Sequence, residues 1–96
     1  MDKINWSIHA SLRLDEIISY YEQNESNYIS TFLNELDKKI KSLLQFPRKN
    51  RIVPELQSSN YREFLIRNYR IIYFINPNES IEIITILHSR QDFKLD

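Results

Sequence analysis

The sequence predicts an α+β fold, ordered β-α-α-β-β-β, with a helical hairpin packed on one face of a small, mostly antiparallel sheet. Three observations lead there. The run Tyr69-Arg70-Ile71-Ile72-Tyr73-Phe74-Ile75 is β-branched and aromatic, is too short to cross a membrane and closes at Asn76-Pro77-Asn78, so it reads as a buried central strand. Residues 8–45 carry apolar side chains at helical spacing, interrupted only by the polar stretch 24–27. Two further strand-like runs flank the central one across short turns, which makes consecutive antiparallel pairs.

Each element has its own signal. Residues 3–7 alternate, with Ile4 and Trp6 on one side, as a short half-buried strand does. Ser7 then suits a helix N-cap. Ala10, Leu14, Ile17, Ile18 and Tyr21 form the apolar face of a helix over residues 8–23. Ser26 or Asn27 is expected to cap a second helix, whose core stripe is Ile29, Phe32, Leu33, Leu36, Ile40, Leu43 and Leu44. Pro47 disfavours helical geometry at Phe46, so this helix ends near Gln45. A short polar connection makes the two helices an antiparallel pair.

Residues 48–60 lack periodicity and read as a basic loop. Residues 61–67 read as a strand, Asn68 as part of a tight turn, and residues 81–88 as the last strand. The tail from Ser89 to Phe93 leaves the sheet, whose second face is expected to be partly open. The chain contains no glycine, so positions needing positive φ are expected to fall to Asn50, Asn68, Asn76 and Asn78.

Length and composition set the limits. Ninety-six residues suit one domain spanning 1–96. Without cysteine there is no disulfide or thiolate metal site, and with only His9 and His88 a structural zinc is not expected. No glycine-rich phosphate loop is possible. No signal peptide or membrane span is visible, which points to the cytoplasm. Net charge is zero, but residues 48–70 hold six bases against two acids, as a local site for an anionic partner would.

No nucleophile–base pair stands out. The chemistry-bearing feature is a set of cations on the sheet and its loops, led by Arg70 in the central strand. A guanidinium there requires either ion-pair partners or a head group that reaches water. If Arg70 is instead a functional cation, Arg70→Ala should remove activity and leave folding near normal.

Several pieces recur in one order: Trp6; Ala10, Leu14, Ile17 and Tyr21; Leu43-x-x-x-Pro47; Arg51-x-Val53-Pro54-Glu55; Arg62-Glu63-Phe64; Tyr69-Arg70-Ile71-x-Tyr73; and Leu87-His88-x-x-x-Asp92. Along nearly its whole length the chain thereby resembles the RelE/ParE superfamily, toxins of type II toxin–antitoxin (plasmid stabilization) modules. The resemblance implies one of two activities. RelE-like members cut messenger RNA on the ribosome; by resemblance Arg62, Arg70, His88 and Arg90 would then be catalytic. ParE-like members poison DNA gyrase and have no established nuclease activity. Arg48, Lys49, Arg51 and Arg67 would contact the target or the antitoxin. Phe64 stands where some nucleases carry a lysine, and no tyrosine follows His88. The neutral charge and the ending Leu87-His88-Ser89-Arg90-Gln91-Asp92 also look more ParE-like. The implied partners are a cognate antitoxin and either gyrase or the ribosome with mRNA, with operator DNA reached only through the antitoxin. No cofactor and no membrane is implied. A third reading is a family member that no longer poisons and only binds antitoxin or DNA.

Overall fold

The computed structural model describes residues 4–95. Its elements are β1 (Ile4–Trp6), α1 (Ile8–Asn24), a 3₁₀ turn (Ser26–Tyr28), α2 (Ile29–Gln45), β2 (Arg51–Ile52), β3 (Tyr61–Ile66), β4 (Tyr69–Ile75) and β5 (Ile81–His88). The predicted α+β order and helical hairpin are present, with one extra short strand, β2, inside the stretch expected to be a loop. Lys3, placed in the first strand by its sequence pattern, lies outside the described residues. The sheet order is β1-β5-β4-β3-β2. β2 to β5 pair antiparallel, and β1 joins β5 in parallel across the two-helix crossover.

The helices cover one face. Ala10, Ile17 and Tyr21 of α1 and Phe32, Leu36 and Leu43 of α2 pack on Phe64, Ile66, Ile71, Tyr73, Ile83 and Ile86. Leu33 and Leu44, predicted in the core stripe, are exposed, because helical spacing sets both to one side of the line through Phe32, Leu36 and Leu43. The opposite face carries a smaller cluster, Val53, Ile72 and Phe93, so the segment after β2 and the C-terminal tail cover part of the side expected to be open.

Ser7 joins β1, α1 and β5. Its Oγ accepts from the Ala10 N–H at 2.9 Å and donates to the Ile84 carbonyl at 2.8 Å, while its own N–H donates to the Ile83 carbonyl at 2.9 Å. The second helix has no such cap. Ser26 and Asn27 lie in the 3₁₀ turn, and the N-cap position falls to Tyr28, whose side chain makes no cap bond.

The turns also differ from expectation. Positive φ occurs at Gln57 (53°), Arg67 (53°) and Glu79 (69°), and at none of the asparagines among the described residues. The left-handed conformation of a non-glycine residue costs roughly 1–2 kcal/mol. At Arg67 the side chain offers compensation: its guanidinium lies 4.1 Å from the Tyr28 ring centroid and pairs with Glu25 at 3.1 Å.

The β4–β5 register slips between Ile72 and Tyr73. Ile72 faces Thr85, Tyr73 faces Ile83, and Ile84 is the extra residue of a β-bulge. The bulge inverts the alternation of β5, so Ile81 and Ile83 before it, and Ile86 after it, all reach the helix-covered core. This is why β5 reads as almost continuously apolar in the sequence.

Replacing Ser7 by alanine removes the cap and the bond to β5 together. Urea unfolding is expected to show a loss of about 1–2 kcal/mol. An unchanged midpoint would contradict this reading of Ser7.

Candidate functional site

Arg70 lies on the face away from the helices, beside Ile72 and opposite Leu87 of β5. It is 4% exposed. A guanidinium has five N–H donors, and here all five are engaged. Nε and Nη2 donate to Glu63 Oε1 at 2.9 and 2.6 Å. Nη1 and Nη2 donate to the two oxygens of Glu55, both at 2.7 Å. Nη1 also donates to the Gln91 carbonyl at 2.7 Å. Glu63 is itself buried, and its second oxygen accepts from Arg51. Glu55 Oε2 also accepts the Phe93 N–H at 2.9 Å.

The arrangement is therefore a charge-balanced network, buried at Glu63 and Arg70 and reaching the surface through Arg51 and Glu55, with the tail fastened to it. Hydrogen bonds from Arg70 hold the Glu55 carboxyl down to about 2 from its ordinary 4.5, against the opposing effect of burial and with help from the Phe93 N–H. The bonds to Glu55 likewise raise the Arg70 pKa further above its already high value.

An open depression of about 390 Å³ adjoins this network, lined by Arg51, Pro54, Glu55, Arg70, Ser89 and Asp92. Its charge is mixed. An anion entering it meets the Glu55 and Asp92 carboxylates as well as Arg51, and Arg70 has no donor left to offer.

The other residues singled out in the sequence are dispersed. Arg62 pairs with Tyr73 in the register, so it lies on the helix-covered face, opposite to Arg70. Its Nε donates to the Ser59 carbonyl at 2.8 Å, and its Nη1 to the Arg48 and Asn50 carbonyls at 2.9 Å each. His88 pairs with Tyr69, whose ring packs on Phe32, so the bulge places the imidazole on the face away from Arg70 as well. Arg90 is exposed in the turn after β5, with its N–H 3.5 Å from His88 Nδ1. Arg48 forms a two-bond pair with Glu79 at 2.7 and 3.1 Å. The Lys49 ammonium lies 6.0 Å from the Phe46 ring centroid. Arg67, at the β3–β4 turn, lies at the other end of the sheet from this loop. Arg62 and His88 are thus not brought to the face that carries Arg70. Glu55 and Glu63 escaped the sequence reading as site residues. Glu63, an acid flanked by Tyr61 and Leu65 on one face of a strand, was the available signal.

Among the described residues no group of His, Cys, Asp and Glu is placed to hold a metal ion, and no helix is long and apolar enough to cross a membrane.

Residues 4–93 match the family model "ParE toxin of type II toxin-antitoxin system, parDE". The chain is 25% identical over 91 residues to "Putative toxin Y4kP" of Sinorhizobium fredii (strain NBRC 101917 / NGR234), covering 95% of this chain and 92% of that protein. Its fold is similar to a chain of the "Chromosomal ParDE TA system from P. aeruginosa", with a TM-score of 0.69 at 16% identity, over 92% of this chain and 96% of that one.

Removing the Arg70 guanidinium leaves Glu63 buried with too few partners. Arg70→Ala is expected to destabilise the fold by about 3–5 kcal/mol in urea, and Arg70→Lys also destabilises it, because one ammonium cannot reproduce the fork. Near-normal stability of Arg70→Ala would contradict the structural role.

The network also predicts a pH dependence. A carboxyl with a lowered folded pKa contributes stability fully present above its ordinary 4.5 and lost as pH falls through about 2. The stability difference between the wild type and Glu55→Gln should therefore be constant above pH 4.5 and shrink between 4.5 and 2. A difference independent of pH across that window would refute the assignment.

Proposed function

The chain belongs to the ParE toxin family of type II toxin–antitoxin systems, and from that premise we propose that it arrests bacterial growth by poisoning DNA gyrase and is neutralised by a cognate antitoxin. The observation that carries the gyrase reading is the state of Arg70. Cleavage of RNA by a cationic site requires donors free to meet charge as it develops on the scissile phosphate. Arg70 has every donor engaged within the fold, while Arg62 and His88 lie across the sheet from it. These facts support a toxin that acts by binding and not by catalysis.

In this reading Arg62, Arg70 and His88 shape the surfaces, and the exposed cations Arg48, Lys49, Arg51, Arg67 and Arg90 are the groups that meet the target or the antitoxin. The antitoxin would be a segment that folds on the toxin as it binds. The setting is the bacterial cytoplasm, where gyrase works.

Purified protein added in excess to gyrase and relaxed plasmid should suppress supercoiling and trap cleaved DNA, and prior mixing with the antitoxin should restore activity. Supercoiling unaffected by excess protein would overturn the gyrase reading.

A further inference from the structure

The positive charge of this protein is concentrated in a segment that the Arg70 network uses at only one residue. Residues 38–54 hold six bases (Lys38, Lys39, Lys41, Arg48, Lys49 and Arg51) and no acid, whereas the remainder of the chain has seven bases and thirteen acids. All six are exposed. On α2, Lys38 and Lys41 lie on the side of the helix opposite the core residues Leu36, Ile40 and Leu43, so they form a solvent-facing ridge.

The loop that follows α2 is braced by the body of the protein. Tyr73 Oη donates to the Pro47 carbonyl at 2.6 Å, and Arg62 Nη1 donates to the Arg48 and Asn50 carbonyls. Asn50 Nδ2 donates to Tyr73 Oη at 3.2 Å. The negative ends of three peptide dipoles are thus held against the body of the protein, while the side chains of Arg48 and Lys49 remain outside. An exposed loop would satisfy these carbonyls with water; here buried Tyr73 and half-buried Arg62 hold them instead.

Ion pairing sorts the six cations. Lys41 pairs with Asp37 at 2.9 Å, Arg48 with Glu79 and Arg51 with Glu63. Among the described residues, Lys38, Lys39 and Lys49 have no carboxylate at ion-pair distance. The arginine forks that would grip a carboxylate side by side are engaged, and the available charges are lysines, which act as compact point charges. Such charges, exposed on a helix and a braced loop with no acid among them, complement a polyanion, whose phosphates each take a single point charge.

We propose that the C-terminal half of α2 and the following loop form a docking surface for the phosphate backbone of duplex DNA, independent of base sequence. The choice of DNA over RNA rests on the gyrase reading.

The test is anisotropy of a labelled 20-bp duplex with the purified full chain, in parallel with Lys38→Gln/Lys39→Gln/Lys49→Gln. These positions are exposed, and circular dichroism checks that the variant folds. Binding should be present at 50 mM salt and fall about 40- to 150-fold by 200 mM, the range for three to four phosphate contacts. The triple variant should lose most of the affinity and roughly three units of the salt slope. Absence of binding at 50 mM salt, equal binding by the variant, or equal binding to polyglutamate would each overturn the proposal, as would exclusive preference for an RNA duplex. The two readings fail separately. Gyrase inhibition without duplex binding refutes only the DNA surface, and duplex binding without gyrase inhibition refutes only the gyrase target.

Discussion

The Arg70 guanidinium sits at the centre of a sheet, where a charge without partners would cost more than the whole fold is worth. Its five N–H groups need five acceptor positions, and these come from three segments far apart in sequence: Glu55 after β2, Glu63 on β3 and the Gln91 carbonyl in the tail. Fixing those acceptors fixes the backbone that carries them. The tail returns across the sheet because Arg70 holds Gln91 and Glu55 holds the Phe93 N–H, and Phe93 then covers Val53 and Ile72. A polar network and a small apolar cluster thus close the same face together.

The helix-covered face follows from a different constraint. The bulge at Ile84 shifts β5 by one residue, so the second half of the strand presents Ile86 and His88 to the helices, and Leu87 to the Arg70 face. If all of β5 alternated without a bulge, His88 and Arg70 would share a face. Arg62 and Tyr73, paired across β3 and β4, use their polar tips on the carbonyls of the loop between α2 and β2. The cations that looked like one constellation in the sequence therefore serve two faces and two ends of the sheet.

How far the sequence could be read depended on the range of each signal. Periodicity identified both helices, the three long strands and the Ser7 cap, because the alternation of apolar residues is local and strong. The two-residue strand β2 carried no such signal; it exists only because β3 offers it an edge at Glu63 and Arg62. The turns were misread because contacts can outweigh intrinsic preference. Arg67 takes the left-handed conformation next to Asn68, where its side chain gains Tyr28 and Glu25. Arg70 itself was legible as a residue requiring an explanation. Its partners were not, since Glu55 and Glu63 meet it only through strand register and the path of a loop. The bulge was equally hidden, as an unbroken run of isoleucines does not reveal which one is extra.

Whether Arg70 is fully engaged inside the fold can be read from nitrogen-detected NMR of its side chain. A guanidinium held at five N–H groups should show restricted rotation about the Nε–Cζ and Cζ–Nη bonds, with separate Nη resonances, and its N–H protons should exchange slowly with water. Averaged Nη signals with rapid exchange would mean that Arg70 is free to meet a ligand, and would contradict the account.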